Sequence, residues 1–230
     1  VTDLNNQQVQ VFDADGTFLR RWGSHGTGDG QFQFPIGIAV DGSGQVYVAE
    51  GNNHRVQVFS SDGTFLRKWG SQVGGDGQFL LPWGIAVDGS ADGRVYVADT
   101  YNHRVQVFSG DGAFLFQWGT QGREDGQFNT PSAIVVDGSG RVYVADFQNQ
   151  RMQVFNSDGT FLRKWGSQGT DNGQFRDPIG IAVDESGRVY VADRTNHRVQ
   201  VFSHDGTFLR KWGTQGTGYG QFQEPWGIAV

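Results

Sequence analysis

The hydrophobic positions of this chain fall in short stretches of about five residues, and no segment keeps a helical spacing. The stretch Arg104-Val-Gln-Val-Phe108 alternates polar and apolar residues, as a half-buried strand does. Three similar stretches surround it, namely Gly84–Val87, Arg94–Asp99 and Ala113–Trp118. Turns such as Gly110-Asp-Gly112 separate them, so the pattern predicts a four-stranded antiparallel meander.

The sequence of this meander is repeated five times. The phrase Gly-Ile-Ala-Val begins at Gly37, Gly84, Gly180 and Gly227, with the variant Ala133-Ile-Val-Val between the second and third. The steps are 47, 49, 47 and 47 residues, and the longer step contains a two-residue insertion within Gly89–Arg94. A linear solenoid usually repeats at about 20–30 residues, whereas a period near 45 is typical of propeller blades. Because a four-stranded sheet with two apolar faces needs a neighbour on each, we predict an all-β fold, a β-propeller with five four-stranded antiparallel blades.

Two segments carry a family resemblance. Asp99-Thr-Tyr-Asn-His-Arg-Val105 and Asp193-Arg-Thr-Asn-His-Arg-Val199, each followed by Gln-Val-Phe, resemble NHL repeats, and the similarity extends over essentially the whole chain. The resemblance implies a propeller. It implies no single function, since NHL propellers include RNA- and protein-binding domains, sensor ectodomains and a metal-dependent lyase. Many have six blades, so a six-bladed ring that is truncated or continues beyond this chain is the alternative.

The ends of the repeat pattern complement each other. Val1-Thr-Asp3 aligns with Val48-Ala-Glu50, at the end of a second strand, and Val230 aligns with Val40, at the end of a first strand. We therefore expect one domain over residues 1–230 whose closing blade is built from both termini. The first residue is Val rather than Met, which is compatible with a removed secretion signal and favours a secreted or extracellular location.

Composition narrows the function classes. The net charge of −6 provides no basic field to attract nucleic acid. The chain has no cysteine, which excludes disulfides and thiolate chemistry. No apolar stretch approaches the roughly 18 residues of a membrane span.

Several residue types recur at fixed positions and are expected to be scaffold. One recurring pattern is an acid, followed three residues later by Asn and two residues after that by Arg. It predicts a hairpin in which Asn takes the left-handed conformation of the turn and the acid pairs with the Arg. These positions are Asp3/Asn6, Glu50/Asn53/Arg55, Asp99/Asn102/Arg104, Asp146/Asn149/Arg151 and Asp193/Asn196/Arg198. The fourth strands end in Trp22, Trp69, Trp118, Trp165 and Trp212, which we expect to be buried between blades. Basic pairs such as Arg67-Lys68 precede them and protect the outer edge strands from aggregation.

Three histidines also share one repeated position, His54, His103 and His197. The lyase relative uses His ligands, but hairpins of successive blades diverge, and a zinc ion needs its ligands within about 2.0–2.1 Å. We therefore predict no metal site there.

The variable positions define a candidate binding surface. The loop entering the first strand and the turn between the second and third strands lie on one side of a blade, which we call the long-loop face. The candidate ligand-binding residues on this face are Trp83, Tyr101, Phe147, Arg176, Asp177, Arg194, Glu224 and Trp226. Aromatic residues beside arginines are typical of binding hot spots. In the alternative, Trp83 and Trp226 plug the central channel.

The charge of this face bears on the partner. Its five loops (23–36, 70–83, 119–132, 166–179 and 213–226) hold seven acidic and two basic residues, a net charge of −5. That charge favours a cationic partner or bound Ca²⁺ and disfavours RNA. We predict a non-enzymatic scaffold without catalytic residues or cofactor that binds a protein, peptide or glycan. The alternatives are a designed or structural repeat scaffold without a natural ligand and a metal-dependent lyase resembling the NHL amidating lyase.

Overall fold

The computed structural model describes residues 1–89 and 93–230. These residues form 19 strands in five antiparallel sheets, with two single-turn 3-10 segments at Thr100–Asn102 and Phe147–Asn149. Part of the insertion predicted within Gly89–Arg94 lies at residues 90–92, outside the described residues. No helix in the described ranges is long and apolar enough to cross a membrane.

Each sheet corresponds to one repeat. The first two sheets contain β1 (Thr2–Asp3), β2 (Gln8–Phe12) and β3 (Phe18–Trp22), then β4 (Pro35–Val40), β5 (Val46–Glu50), β6 (Arg55–Phe59) and β7 (Phe65–Trp69). The third contains β8 (Pro82–Val87), β9 (Val95–Asp99), β10 (Arg104–Phe108) and β11 (Phe114–Trp118). The last two contain β12 (Pro131–Val136), β13 (Val142–Asp146), β14 (Arg151–Phe155) and β15 (Phe161–Trp165), then β16 (Pro178–Val183), β17 (Val189–Asp193), β18 (Arg198–Phe202) and β19 (Phe208–Trp212).

Strands that follow one another along the chain pair with one another in every sheet, which gives the predicted meander. The all-β propeller fold with five blades is therefore confirmed, with four complete blades and a first blade of three strands. Residues 227–230 carry no strand assignment, and the strand pairs of the first blade are β1–β2 and β2–β3. A single domain with a closing blade from both termini stays a prediction.

The described residues group into two compact units. Unit 1 comprises residues 1–102 and 106–116, and unit 2 comprises residues 103–105 and 117–230. Each unit has its own apolar clusters between neighbouring sheets, such as the one around Tyr47 and Phe79 in unit 1 and the one around Tyr143 and Phe175 in unit 2.

The middle strands of each complete blade are buried along their whole length. All five residues of β5 and of β6 are buried, including the side chains of Arg55 and Gln57. The Arg-Val-Gln-Val-Phe strand was expected to be half-buried, and this expectation is wrong. Its alternating residues form an apolar face and a polar face, and both faces are covered. The outer strand β7 alternates half-buried and exposed residues and carries Arg67-Lys68 at the sheet edge, as predicted.

Tryptophans connect successive blades. Trp22, Trp69, Trp118 and Trp165 each pack against a phenylalanine of the next blade (Phe59, Phe108, Phe155 and Phe202), with ring centroids 5.5–5.8 Å apart. A glycine makes room for each ring: at Gly112, where φ is +94°, a Cβ atom would lie 2.6 Å from the Trp69 ring.

The predicted burial of these tryptophans needs two corrections. The four that contact a following blade are only partly buried, because they lie on the outermost strand of each sheet, which is partly exposed. Trp212 is 39% exposed and contacts Tyr190 and Arg210 of its own blade.

Candidate functional site

The long loops are held by buried polar side chains of the blade that follows them. Arg55 on β6 donates from Nη1 to the carbonyl of Thr27 at 2.6 Å and from Nη2 to the carbonyls of Gly28 and Gln31 at 2.9 and 2.8 Å. Gln57 donates to the same Gln31 carbonyl at 2.8 Å. The loop backbone therefore covers the polar face of β6 and has a fixed shape.

A buried carboxylate organises these donors. Glu50 is fully buried and accepts hydrogen bonds from Arg55 Nε at 2.6 Å, Asn53 Nδ2 at 2.6 Å and Gln57 Nε2 at 2.7 Å. The backbone N–H of Gln33 completes the set at 3.2 Å. Asp146 and Asp193 repeat this arrangement with Arg151 and Arg198. The predicted acid–Arg pairing across the hairpin is thus confirmed, and all its members are engaged in holding the loop.

The environment of this acid differs between repeats. Burial raises the pKa of the Asp146 carboxyl, and hydrogen bonds from Asn129, Asn149 and Arg151 oppose the rise. In the first blade Gln8 replaces the arginine. There, hydrogen bonds led by those from Asn6 and Gln8 lower the pKa of the solvent-accessible Asp3 to about 2.

The histidine position forms a second connection between blades. His54, not Asn53, takes the left-handed conformation, with φ at +51°, so the predicted turn residue was one position too early. His54 Nδ1 accepts a hydrogen bond from the backbone N–H of Leu81 at 3.2 Å. His103 and His197 do the same for Thr130 and Glu224, while Gln7 and Gln150 accept through Oε1 from Phe34 and Asp177.

This contact explains the mixture of His and Gln at one position, because both offer an acceptor at a similar reach. Burial lowers the pKa of His54, which favours the neutral imidazole that can accept. Among the described residues, no group of three His, Asp or Glu side chains is arranged to hold a metal ion.

The variable residues of unit 2 form one cluster on the long-loop face. The Arg194 guanidinium lies over the Trp226 ring, with Cζ 5.1 Å from the ring centroid. The same guanidinium donates to Glu224 Oε2 from Nη2 at 2.5 Å and from Nε at 3.1 Å. Trp226 is 40% exposed, so the cluster offers an aromatic surface with a charged pair beside it.

Asp177 and Arg176 lie next to this cluster. Thr195 donates through Oγ1 to Asp177 Oδ2 at 2.7 Å, and the Arg194 N–H donates to the Asp177 carbonyl at 3.2 Å. The Arg176 carbonyl accepts from the Thr195 N–H at 3.1 Å. Thr195 and Gln150, which the sequence prediction left out of the site, therefore fix the loop that carries both predicted residues.

The other predicted residues occupy similar places in their repeats. Phe147 begins the 3-10 turn whose last cap residue, Gln150, contacts Asp177. Tyr101 and Trp83 belong to unit 1: Tyr101 is about half exposed and donates its backbone N–H to Leu80, and Trp83 is half-buried on β8. The assignment of all eight residues as a binding site stays a prediction.

Neighbouring lysines reduce the negative charge of the loops. Lys68 Nζ lies 2.6 Å from Asp29 Oδ1, and Lys164 Nζ lies 2.6 Å from Asp125 Oδ1. The net charge of −5 counted on the loops alone therefore overstates the local field, because outer strands supply counter-charges that are distant in sequence. This weakens the argument for a strongly cationic ligand.

Comparison with known proteins agrees with the fold. The NHL repeat family model matches residues 32–59, 79–108, 128–155 and 175–202. The chain is thus built of NHL repeats and belongs to the NHL-repeat propellers. No curated protein sequence matches it.

Solved structures with the same fold are distant in sequence. A virginiamycin B lyase from Staphylococcus aureus, solved as an inactive H270A variant with quinupristin, is 14% identical, with a TM-score of 0.68. A streptogramin B lyase is 13% identical with a TM-score of 0.65, and nidogen, solved in complex with laminin, is 19% identical with a TM-score of 0.63. Alignments cover 98%, 90% and 86% of this chain, but 68%, 62% and 68% of those proteins. At such identities the likeness supports the fold alone.

Proposed function

We propose that the chain is a non-enzymatic binding module that holds a polypeptide partner on the long-loop face of unit 2. The observation that carries this proposal is the half-exposed stack of Arg194 on Trp226, with Glu224 beside the guanidinium. An aromatic ring and a guanidinium in contact are frequent components of interaction hot spots.

The side chains of the cluster are preorganised for binding. Glu224 fixes the Arg194 fork, and Thr195 fixes Asp177 nearby, so little side-chain entropy is lost when a ligand docks. These residues also differ between repeats, whereas scaffold positions such as the Arg198–Asp193 pair recur. Nidogen provides an analogy, since a protein with this fold was solved in complex with a protein partner.

The same geometry supports binding over metal-assisted chemistry. His103 and His197 each direct Nδ1 to a backbone N–H of the following loop, which orients the rings toward separate contacts. Within the described ranges, no three potential ligands converge. We therefore propose recognition of a polypeptide and not a lyase reaction.

A peptide-display selection on the immobilised protein tests the proposal. Peptides that are recovered should bind at least about tenfold more weakly to Trp226→Ser and Arg194→Ala, since hot-spot truncation costs about 2 kcal/mol or more. Arg188→Ala, which removes an exposed ion pair at the turn before β17, is the matched control and should bind normally. Melting temperatures near that of the parent would show that the variants are folded.

The outcomes separate the alternatives. Peptides that bind all three variants equally would place recognition elsewhere and contradict the assignment. If the selection recovers no peptide and the protein binds defined oligosaccharides in an array, the partner is a glycan and not a polypeptide.

A further inference from the structure

A recurring contact joins a long loop to the outer strand of the next blade. The N–H of Gly30 donates to Gln57 Oε1 at 2.9 Å. Asp29, one residue before that glycine, pairs with Lys68, with 2.6 Å between Oδ1 and Nζ. Gln57 and Lys68 lie opposite each other in the register of β6 and β7. An Asp-Gly pair of the loop is therefore held by a Gln and a Lys on two adjacent strands.

The fourth blade repeats this contact in unit 2. The Gly126 N–H donates to Gln153 Oε1 at 3.0 Å. Lys164 lies opposite Gln153 on the neighbouring strand and pairs with Asp125 at 2.6 Å. The contact is thus present once in each unit, with the same four residue types and the same bonds.

The fifth blade has the same contact with one substitution. The Gly173 N–H donates to Gln200 Oε1 at 3.0 Å, and Lys211 lies opposite Gln200. Asn172 stands where the two repeats above have aspartate. Lys211 is exposed and has no carboxylate partner among the described residues. The register therefore places an ammonium group beside a neutral side-chain amide.

The residue after Asn172 makes that amide reactive. Asn172 and Gly173 form the only Asn-Gly pair in the sequence, and the Asn172 side chain is exposed to water. Because glycine has no Cβ atom, its nitrogen can approach the preceding side chain closely. A backbone nitrogen next to a side-chain amide carbon is an intramolecular nucleophile, which needs no second molecule to be brought into position.

We propose that Asn172 is a site of spontaneous deamidation and that the aspartate formed there pairs with Lys211. The Gly173 nitrogen leaves the Gln200 acceptor, loses its proton to hydroxide or a buffer base, and attacks Cγ of Asn172. The new N–C bond closes a five-membered succinimide, and the side-chain nitrogen takes up a proton and leaves as ammonia. Water then adds at Cγ and breaks the bond between Cγ and the Gly173 nitrogen, which leaves a carboxylate.

Lys211 assists both stages of this reaction. The attack places negative charge on the side-chain oxygen of Asn172, and an adjacent ammonium group stabilises that charge. In the product, Lys211 binds the new carboxylate as Lys68 binds Asp29. The position therefore changes from a neutral amide to the ion pair that the other two repeats already contain.

Water can also open the ring at the backbone carbonyl of residue 172. The product is isoaspartate, in which the main chain runs through the former side chain and is longer by one methylene. Arg198 binds the carbonyls of Asp171 and Gln174, on either side of this position, at 2.9 and 2.8 Å. The extra methylene changes the spacing of these two carbonyls, so isoaspartate should lower the melting temperature, whereas aspartate keeps the loop intact.

Peptide mapping after incubation of the folded protein in mildly alkaline buffer tests the reaction. The tryptic peptide 165–176 should gain the mass difference between an amide and a carboxylic acid. Asn156, which is exposed and followed by Ser157, lies in the separate peptide 152–163 and is the internal control. Asn172 should react at least about tenfold faster than Asn156, which corresponds to a barrier lower by about 1.4 kcal/mol. Lys211→Gln should slow the reaction at Asn172 and leave Asn156 unchanged.

A second experiment tests the ion pair in the product. Asn172→Asp should raise the melting temperature by about 1–3 °C at low salt, as expected for an exposed pair in a chain of this length. The gain should shrink at high salt and disappear in the Lys211→Gln background. Asp29→Asn removes the equivalent pair with Lys68 and is the matched control, which should lower the melting temperature by a similar amount.

Three results would overturn this inference. If peptide 165–176 stays unchanged in the folded protein but reacts in urea, the Gln200 bond keeps the Gly173 nitrogen from attacking. Equal rates at Asn172 and Asn156 would show that this contact does not promote the reaction. An equal gain from Asn172→Asp with and without Lys211 would contradict the pairing. These variants lie outside the Arg194–Trp226 stack, so this inference and the proposed function fail independently.

Discussion

His54 Nδ1 accepts a hydrogen bond from the backbone N–H of Leu81, 27 residues further along the chain, at 3.2 Å. Only a neutral imidazole with its proton on Nε2 can make this contact. Since burial lowers the pKa of His54 below its ordinary value of 6.5, the unfolded chain binds this proton more readily than the folded protein.

The first prediction concerns acid stability. The contribution of His54 is fully present above its unfolded pKa of about 6.5 and is lost as the pH falls below that value toward the lower folded pKa. His54→Gln keeps an acceptor, as Gln7 and Gln150 do in their repeats, but does not titrate. As the pH is lowered from 7.5 to 5, the unfolding free energy of the parent should therefore fall more than that of His54→Gln.

Urea titrations at several pH values measure this difference. The carboxylates contribute equally to the pH dependence of both proteins, so their contribution cancels in the comparison. An identical pH dependence in parent and variant would show that protonated His54 is tolerated in the folded state.

The second prediction concerns the buried ion pairs. Arg198→Ala should destabilise the protein by about 3–5 kcal/mol, because it leaves the buried Asp193 carboxylate without its charged partner. Arg188→Ala removes a solvent-exposed pair with Asp184 and should have little or no effect. Chemical denaturation of both variants checks the contrast, and similar losses in the two would contradict the loop-holding role of Arg198.

The third prediction compares two tryptophans. Trp118→Ala should cost about 3 kcal/mol, at the lower end for large aromatic residues because Trp118 is partly buried against Phe155. Trp212→Ala should cost clearly less, since its ring is 39% exposed. Thermal unfolding at low protein concentration avoids any contribution from association. A larger loss at Trp212 would show that its exposed face is covered in solution.

The fourth prediction concerns the close packing of β16 against the segment that contains Trp226. A Cβ atom at Gly180 would lie 2.2 Å from the Trp226 carbonyl oxygen, so Gly180→Ala should destabilise by about 1–3 kcal/mol. At Gly138, whose φ is not in the left-handed range, a Cβ atom would meet no atom within 4 Å. Gly138→Ala is therefore the control and should be neutral or slightly stabilising. Equal melting temperatures for the two variants would indicate that the segment around Trp226 moves away freely.

Strand positions could be predicted from the sequence because period-two stretches and Asp-Gly turns are local signals, and five copies report the same boundaries. The burial of Gln57 could not, because an alternating strand looks the same whether its polar face contacts water or a loop backbone. The left-handed residue was placed at Asn53 on local propensity, but the Leu81 contact fixes it at His54. The Arg194–Trp226 stack could not be predicted, because it joins two residues that are 32 positions apart in the sequence. The sequence showed only that both positions differ between the repeats.

A long loop that precedes a complete blade is bound by side chains that come later in the chain, as Arg55 binds the carbonyls of residues 27, 28 and 31. On a ribosome, the loop emerges before the residues that hold it, and at about 5–20 residues per second the delay is roughly one to six seconds. During that interval the carbonyls of the glutamine- and glycine-rich loop are bound by water and not by the arginine. The contacts between a long loop and the arginine that binds it can therefore form only after the following blade has been synthesised.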